Sequence, residues 1–457
     1  MHRTRRTAVI GAALATTALT FSSIGVAADS HLTGYAELDQ AMGEDQPLAG
    51  TRVTIKTQFI DEGPNFEAAL VPFTEATGIE VEHIPLPSGD HETALLVDIE
   101  GGSPPDLSLL AQPSNIIDYG DSGNLVDIAT ILDIERLNAE YSATAPLYVG
   151  ANGEQWAIPF KVGVKSIVWY PIKAFEAAGY AVPTTWDELV ALSDRIVQDG
   201  SAPWCVGIDA NDATGWIATD WIEDIMLRTA PIETYNAWAN HEIPFNSPEV
   251  KNAWDLLGQM WFTDGYVFGG SDAILATWQG DPMDPMWGPN LDSLENPSCW
   301  MHKQADWYGP ENFPDYKAIG ETAFPVGEDI GLFYFPEIDP EYGTPALGAG
   351  DGLMVFDDRP EVRALAQFLA TPEGMRGWIE RSTAISANQT TPADWYQGNY
   401  ESEILSGIVA NATSFGFDAS DVMPNSGSAF WAGVVKWVEA DGTNTDEVLE
   451  EIEASWS

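Results

Sequence analysis

Residues 154–197 carry the clearest pattern of apolar and polar positions in the chain. Residues 163–170 are mostly β-branched or aromatic and predict a buried strand. A helix is predicted over 171–178, because proline suits the first helical position and Gly179 suits the residue after the last. Thr185–Glu188 is a capping-box sequence that predicts the start of a second, amphipathic helix.

The chain before this stretch alternates between strand and helix patterns. Strands are predicted over 53–58, 79–84 and 104–110, and helices over 66–77 and 94–99. Such alternation is typical of an α/β protein with a parallel sheet covered on both faces. Ligands bind beside the carboxyl ends of the strands in such sheets. Those ends predict a ligand-facing edge at 58–61, which includes Phe59, at 88–90, which includes Asp90, and at Gln112.

Tryptophan is unusually frequent between 204 and 331. A tryptophan is more often part of a core than of a binding site, because it is large and apolar. In a cleft, however, its flat face suits the C–H face of a pyranose, while carboxylates and amides bind the hydroxyl groups. Trp216 and Asp220 form the best such pair, and the alternative is a core tryptophan beside a solvated aspartate. Trp221, on the predicted helix 220–227, is a further candidate.

The last quarter of the chain begins with a glycine-rich segment, 348–356. It predicts a loop that contains Asp351 and runs into a strand; its glycine spacing does not fit a dinucleotide site. Asp358 is predicted to cap a helix that has Pro360 in its first turn. Two further helices are predicted near 401–411 and 429–440.

Length and charge narrow the class of protein. A chain of 457 residues predicts two domains. With 70 acidic and 19 basic residues the net charge is −51, which repels nucleic acid and anionic membranes. The acidic residues are spread along the chain, which indicates a solvated surface.

Residues 1–27 have the pattern of a signal peptide, with Arg3, Arg5 and Arg6 ahead of a mildly apolar run. The alternative is an uncleaved anchor, although threonine, serine and glycine dilute the run. Arg5 and Arg6 suggest a twin-arginine signal whose other residues are missing. Since no cysteine lies near the predicted cleavage point, we expect a periplasmic protein without a lipid anchor.

Motifs of enzymes and metal sites are weak. The chain lacks Gly-x-Ser-x-Gly and His-Glu-x-x-His, and its six histidines have no metal-ligand spacing. The sequence therefore predicts no cofactor, no metal and no catalytic residue. An exported carbohydrate hydrolase is the rival class, because acidic pairs that imitate a glycosidase dyad occur by chance in so acidic a chain.

Three phrases in this order resemble the family 1 extracellular solute-binding proteins of ABC importers, relatives of maltose-binding protein. They are IPF at 158–160, WY followed by FEAAGY within 169–180, and PTTWDEL at 183–189. The resemblance implies a two-lobed α/β fold of type II, each lobe a mainly parallel sheet with helices and the ligand cleft between them. The implied organisation is a signal peptide at 1–27, lobe 1 at 28–162, lobe 2 at 163–340, a return to lobe 1 at 341–390, and lobe 2 again at 391–457.

The two cysteines, Cys205 and Cys299, form either a disulfide or two buried thiols in an exported protein. PWCVG at 203–207 and CW at 299–300 resemble α-glucoside-binding members of the family, which favours the disulfide. KVGVKSIVWYP at 161–171 and FWAGVVKWV at 430–438 resemble the same members. The segment 277–297 fits their pattern poorly and leaves the sugar open.

The resemblance implies a neutral ligand such as trehalose, sucrose, maltose or glucosylglycerol, bound by hinge closure, and an ABC permease as partner. A monomer without nucleic-acid partners is expected. The predicted ligand-binding residues are Phe59, Asp90, Gln112, Lys161, Trp216, Asp220, Trp221 and Asp351.

Overall fold

The computed structural model describes residues 33–60, 62–142, 144–287, 294, 296–309, 326–381, 384–423 and 427–456. The predicted signal peptide, 1–27, lies outside these residues. Part of the atypical segment 277–297 lies outside them too.

The described strands form two sheets. The larger has the order β10-β4-β9-β3-β1-β2, with β11 also paired to β9, and the smaller has the order β6-β7-β5-β8. The strands are β1 Arg52–Thr57, β2 Glu80–Pro85, β3 Leu107–Leu110, β4 Ile158–Val164, β5 Ile167–Pro171, β6 Ala202–Trp204, β7 Cys299–Lys303, β8 Ile330–Tyr334, β9 Ala346–Val355, β10 Ile385–Ser386 and β11 Phe415–Phe417.

Helices cover both sheets and alternate with the strands in the first part of the chain. The described α-helices are α1 Ala36–Ala41, α2 Gly63–Thr77, α3 Ser88–Glu100, α4 Pro113–Asp121, α5 Ile134–Glu140, α6 Ile172–Ala178, α7 Trp186–Gln198, α8 Trp216–Leu227, α9 Ile232–Ala239, α10 Pro248–Phe262, α11 Gly270–Ala276, α12 Asp284–Trp287, α13 Pro360–Leu369, α14 Glu373–Ile379, α15 Tyr400–Asn411, α16 Ala419–Val422, α17 Ser428–Glu439 and α18 Thr445–Ser455. Within the described ranges, no helix is both long enough and apolar enough to cross a membrane.

The two-lobed α/β architecture is confirmed, but the sheets are mixed. β1 pairs in parallel with β2 and β3, as the alternating pattern predicts. β9, by contrast, runs antiparallel to β3 and β4, and β5 runs antiparallel to β7 and β8. These antiparallel partners come from distant parts of the chain, so the local alternation of strands and helices does not set their direction.

The chain leaves the larger sheet at a two-residue link, Lys165 and Ser166, between β4 and β5. It returns through 335–345, between β8 and β9. Two hydrogen bonds hold the crossings together: Lys165 N donates to the backbone oxygen Leu347 O at 2.9 Å, and Leu347 N donates to the side-chain oxygen Ser166 Oγ at 2.7 Å. Two adjacent crossings form a hinge candidate. The predicted domain boundaries stay predictions.

Of three predicted helix ends, two are confirmed and one is wrong. The capping box is confirmed, since Thr185 Oγ1 accepts from Glu188 N at the start of α7. Gly179 follows α6 with φ of 68°, as predicted. Asp358 does not cap α13: Arg359 is the cap residue without a side-chain bond, and Asp358 pairs with Arg363 instead.

The predicted glycine-rich loop is part of a strand, the fully buried β9. Its glycines leave room for neighbouring side chains: a Cβ at Gly348 would lie 2.2 Å from Phe415 Cζ, and one at Gly352 would lie 2.7 Å from Tyr148 Cε1. Close packing, rather than a turn, therefore explains the glycine pattern.

Cys205 and Cys299 form a disulfide, as the resemblance implied. It joins the residue after β6 to the first residue of β7, and both cysteines are buried. Most of the tryptophans between 204 and 300 pack in the core on the side of the smaller sheet.

Candidate functional site

Two lysines, Lys161 and Lys165, lie four residues apart on the segment that joins the sheets. Lys161 is on β4 and Lys165 follows its end, so their Cα atoms are about 13 Å apart in an extended chain. Both are buried, with 5% and 4% of their surface exposed. A buried ammonium group needs carboxylate partners, because desolvation of an unpaired charge is costly. Each lysine has its own set of acids.

Lys165 lies between two carboxylates. Its Nζ is 2.8 Å from Asp220 Oδ1 and also contacts Asp418 Oδ2. Asp220 comes from the first turns of α8, and Asp418 precedes α16 and accepts from Ser420 Oγ at 2.8 Å. The β4–β5 link, α8 and the residue before α16 therefore meet at the ammonium group of Lys165.

A further acidic residue, Glu223, lies near Asp220 and Asp418. Glu223 accepts from the backbone N–H groups of Ala419 and Ser420 at 3.0 and 3.1 Å. Burial raises the pKa of Asp220 to about 7, Lys165 opposes that rise, and Asp418 adds to it. Burial lowers the pKa of Lys165, but Asp220 and Asp418 outweigh this and hold it well above its ordinary value, so the lysine stays charged.

Two indole rings lie over the same ammonium group. Lys165 Nζ is 5.1 Å from the ring centroid of Trp216 and 5.5 Å from that of Trp307, and the two centroids are 6.4 Å apart. Both tryptophans are only half-buried. Trp307 approaches the hinge strand closely, since a Cβ at Gly163 would lie 2.5 Å from its Cζ3 atom. Trp216 and Trp307 therefore form an aromatic surface that is partly exposed and lies next to the hinge.

Lys161 organises the second set. Its Nζ is 2.8 Å from Glu62 Oε2, and Asp351 on β9 accepts from Gln58 Nε2 at 2.8 Å. Asp306 accepts from Val164 N at 3.0 Å. Burial raises the pKa values of Asp351 and Asp306 to about 7, against the effect of Lys161.

A contact between α4 and α16 borders the region. Gln112 Nε2 donates to Asp421 Oδ1 at 3.4 Å, and Ser114 Oγ donates to Asp421 O at 3.1 Å. Gln112 and Ser114 begin α4, whereas Asp421 lies on α16, which packs against α8 and α9. Gln112 Oε1 is buried without a hydrogen-bond partner among the described atoms.

The structure brings five of the predicted residues to this region, and a sixth, Phe59, lies in the core beside it, with its ring centroid 5.4 Å from Lys161 Nζ. Gln112, Lys161, Trp216, Asp220 and Asp351 lie at or beside the hinge.

Phe59 and Trp221 pack in the core, and Asp90 lies at the surface. Phe59 is 3% exposed and packs edge-on against Trp378 in the core. Trp221 is 1% exposed and packs against Trp204. Asp90 is exposed in the first turn of α3. We therefore leave these three residues out of the candidate site.

Sequence reasoning missed residues that the structure places at the centre. Lys165 is a charged residue inside an apolar run, and that interruption was the signal that could have found it. Asp418 and Asp421 belong to a helix-start sequence, FDASD. Asp306 and Trp307 had no local signal, because only the three-dimensional fold brings them to Gly163.

Asp220, Glu223 and Asp418 have the spacing of metal ligands, with one oxygen of each within 4.8 Å of the others. Lys165 Nζ already contacts two of the three, and Glu223 accepts two backbone N–H groups. A bound cation would have to displace the ammonium group. The arrangement is therefore explained without a metal.

Two lobes joined by a hinge, with a polar and aromatic site beside it, define a binding protein that encloses a small solute. The model of the bacterial extracellular solute-binding protein family matches residues 68–401, and the chain belongs to this family. Members of this family bind solutes for ABC transporters and are not enzymes, so the hydrolase alternative is set aside.

Two relatives match most of the chain. The alpha-glucosides-binding periplasmic protein AglE of Rhizobium meliloti is 36% identical over 403 residues, which are 86% of this chain and 83% of that protein. The osmoprotective compounds-binding protein GgtB of Synechocystis sp. is 35% identical over 415 residues, 89% of this chain and 92% of that protein.

Solved structures share the fold. The bacterial solute receptor AcbH, described as preferring β-D-galactopyranose, superposes with a TM-score of 0.73 at 18% identity, covering 89% of this chain and 98% of that one. Maltose-bound MalE3 of T. maritima gives 0.66 at 16% identity, covering 89% and 99%. At these identities the comparison concerns the fold alone.

Proposed function

We propose that this protein binds a neutral glycoside, an α-glucoside or a glycoside of similar size, and delivers it to an ABC importer. The observation that carries the proposal is the half-buried Trp216 beside Asp220 and Lys165 at the hinge. An indole face, a carboxylate and an ammonium group match the apolar face and the hydroxyl rim of a sugar.

The similarity to AglE supports an α-glucoside such as trehalose, sucrose or maltose. The similarity to GgtB, over 92% of that protein, supports a second candidate, a small osmoprotective glycoside such as glucosylglycerol. Thermal-shift screening separates the two, because a ligand at a hundred times its dissociation constant adds about 2.7 kcal/mol of stability. We further propose periplasmic location, a monomeric state and an ABC permease as partner.

The proposed ligand contacts are Trp216, Asp220, Lys165, Asp351 and Gln112. We expect Asp220→Asn and Asp351→Asn each to weaken sugar binding about ten- to a hundredfold, because a hydrogen bond to a charged group contributes about 1.5–3 kcal/mol. Trp216→Ala removes the stacking surface and should weaken binding at least as much. Calorimetric titration with the best ligand from the screen measures these losses.

The matched control is Asp255→Asn, which changes an exposed carboxylate on α10. It should bind as the parent does. If all three site variants are folded and also bind like the parent, the proposed site is wrong.

Hinge closure is the second expectation, because the two crossings of the chain lie side by side at Ser166 and Leu347. Saturating ligand should bring the lobes together and reduce the radius of gyration. Small-angle X-ray scattering with and without ligand measures the change. An identical scattering curve with bound ligand, shown by calorimetry in the same sample, would contradict closure.

A further inference from the structure

The surroundings of Lys165 Nζ are those of a cation-binding site. Two indole rings lie 5.1 and 5.5 Å from it, and the carboxylates of Asp220 and Asp418 contact it. Aromatic faces and carboxylates together are the groups by which proteins bind ammonium and quaternary ammonium ligands. In this chain the cation is a side chain of the protein itself.

The origin of this lysine is informative. It comes from the two-residue link between the sheets, so its side chain reaches the site from the hinge rather than from a wall. The same backbone is held by Leu347 O, which accepts from Lys165 N at 2.9 Å. Ligand binding and hinge position are therefore connected at one residue.

We propose that Lys165 determines the charge class of the ligand: its ammonium group takes the position that a ligand cation would otherwise occupy between Trp216, Trp307, Asp220 and Asp418, and so restricts the site to neutral ligands. This inference rests on the proposed function and names the residue responsible for its selectivity. An ammonium group has three N–H donors. Asp220 and Asp418 are its acceptors among the described residues, which leaves one donor for a ligand hydroxyl.

Lys161 provides an internal comparison. It is equally buried, pairs with Glu62, and lies 4.9 Å from the ring centroid of Trp378 and 5.4 Å from that of Phe59. Both rings, however, belong to the core, with Trp378 0% and Phe59 3% exposed. Removing the Lys161 ammonium group should therefore not open a site that a ligand can reach.

The test is calorimetric titration of Lys165→Gln with choline chloride at pH 8, with sodium chloride as the ionic-strength control. We expect the variant to bind choline and the parent not to bind it. Affinity for the neutral glycoside should fall about ten- to a hundredfold, since a charge-assisted hydrogen bond is lost. Lys161→Gln should not gain choline binding, and Lys165→Gln with Asp220→Asn should lose it again.

Two outcomes overturn the inference: choline binding by the parent, or a folded Lys165→Gln that binds no choline. If Lys165→Gln does not fold, Lys165→Arg decides. It should bind the neutral glycoside more weakly and still exclude choline, and an unchanged glycoside affinity overturns the inference. A parent that binds no glycoside, beside a variant that binds choline, would refute the proposed function and leave the inference standing.

Discussion

Replacing Cys205 and Cys299 together by alanine should lower the free energy of unfolding by about 4–5 kcal/mol. The disulfide closes a loop with a sequence separation of 94 residues, and the chain-entropy model gives this magnitude for such a loop. The bond also joins β6 to β7, which pair in parallel at one edge of the smaller sheet. Urea denaturation followed by tryptophan fluorescence measures the loss.

The parent treated with a thiol reductant should show a similar loss, whereas the double variant should be insensitive to reductant. Glycoside affinity should change little at temperatures where the double variant is folded, because neither cysteine contacts the candidate site. A double variant as stable as the parent, or two titratable thiols in the parent after denaturation without reductant, would contradict the prediction.

The elements that the sequence predicted best are those with a local cause. The capping box of Thr185 and Glu188 and the αL position of Gly179 depend on residues within a few positions of each other, so the sequence shows them directly. The β9 glycines are the opposite case. Their neighbours, Phe415 and Tyr148, are distant in the sequence. The glycine-rich sequence by itself therefore predicted a loop.

In the candidate site, too, the features that the sequence did not predict depend on the three-dimensional fold. Trp216 and Trp221 are five positions apart on α8, which turns them about 140° from each other around the helix axis. One therefore faces the hinge and the other the core, although residue type alone does not distinguish them. Asp306 and Trp307 reach the hinge through the strand pairing of β5 with β7, which no local pattern reveals.

The hinge itself depends on a buried charge network beneath the candidate site. Asp224, on α8, contacts Arg228 and is 3.2 Å from Lys303 Nζ, and all three residues are buried. Asp224 Oδ1 also accepts from Ser166 Oγ at 2.7 Å, and this oxygen of Ser166 accepts from Leu347 N. One carboxylate therefore joins two cations to both crossings of the chain.

The cations of the network bind the returning segment as well. Arg228 donates to the backbone oxygens of Pro336 and Phe335 at 3.0 and 3.1 Å. Lys303 donates to the backbone oxygens of Lys165 and Asp220 at 3.1 and 3.2 Å. The positions of Lys165 and Asp220 in the site thus depend on Lys303, which the ligand need not touch.

Asp224→Asn should consequently lower the free energy of unfolding by about 3–5 kcal/mol, because it leaves two buried cations without their carboxylate. The exposed change Asp255→Asn should cost less than about 0.5 kcal/mol. Urea denaturation measures both, and a loss below about 1 kcal/mol for Asp224→Asn would show that the network is not needed for stability. In the folded fraction of Asp224→Asn, glycoside affinity should also fall, since Lys303, which donates to the backbone oxygens of Lys165 and Asp220, loses its charged partner. An unchanged affinity would mean that the charge of Asp224 does not determine the position of Lys165 in the site.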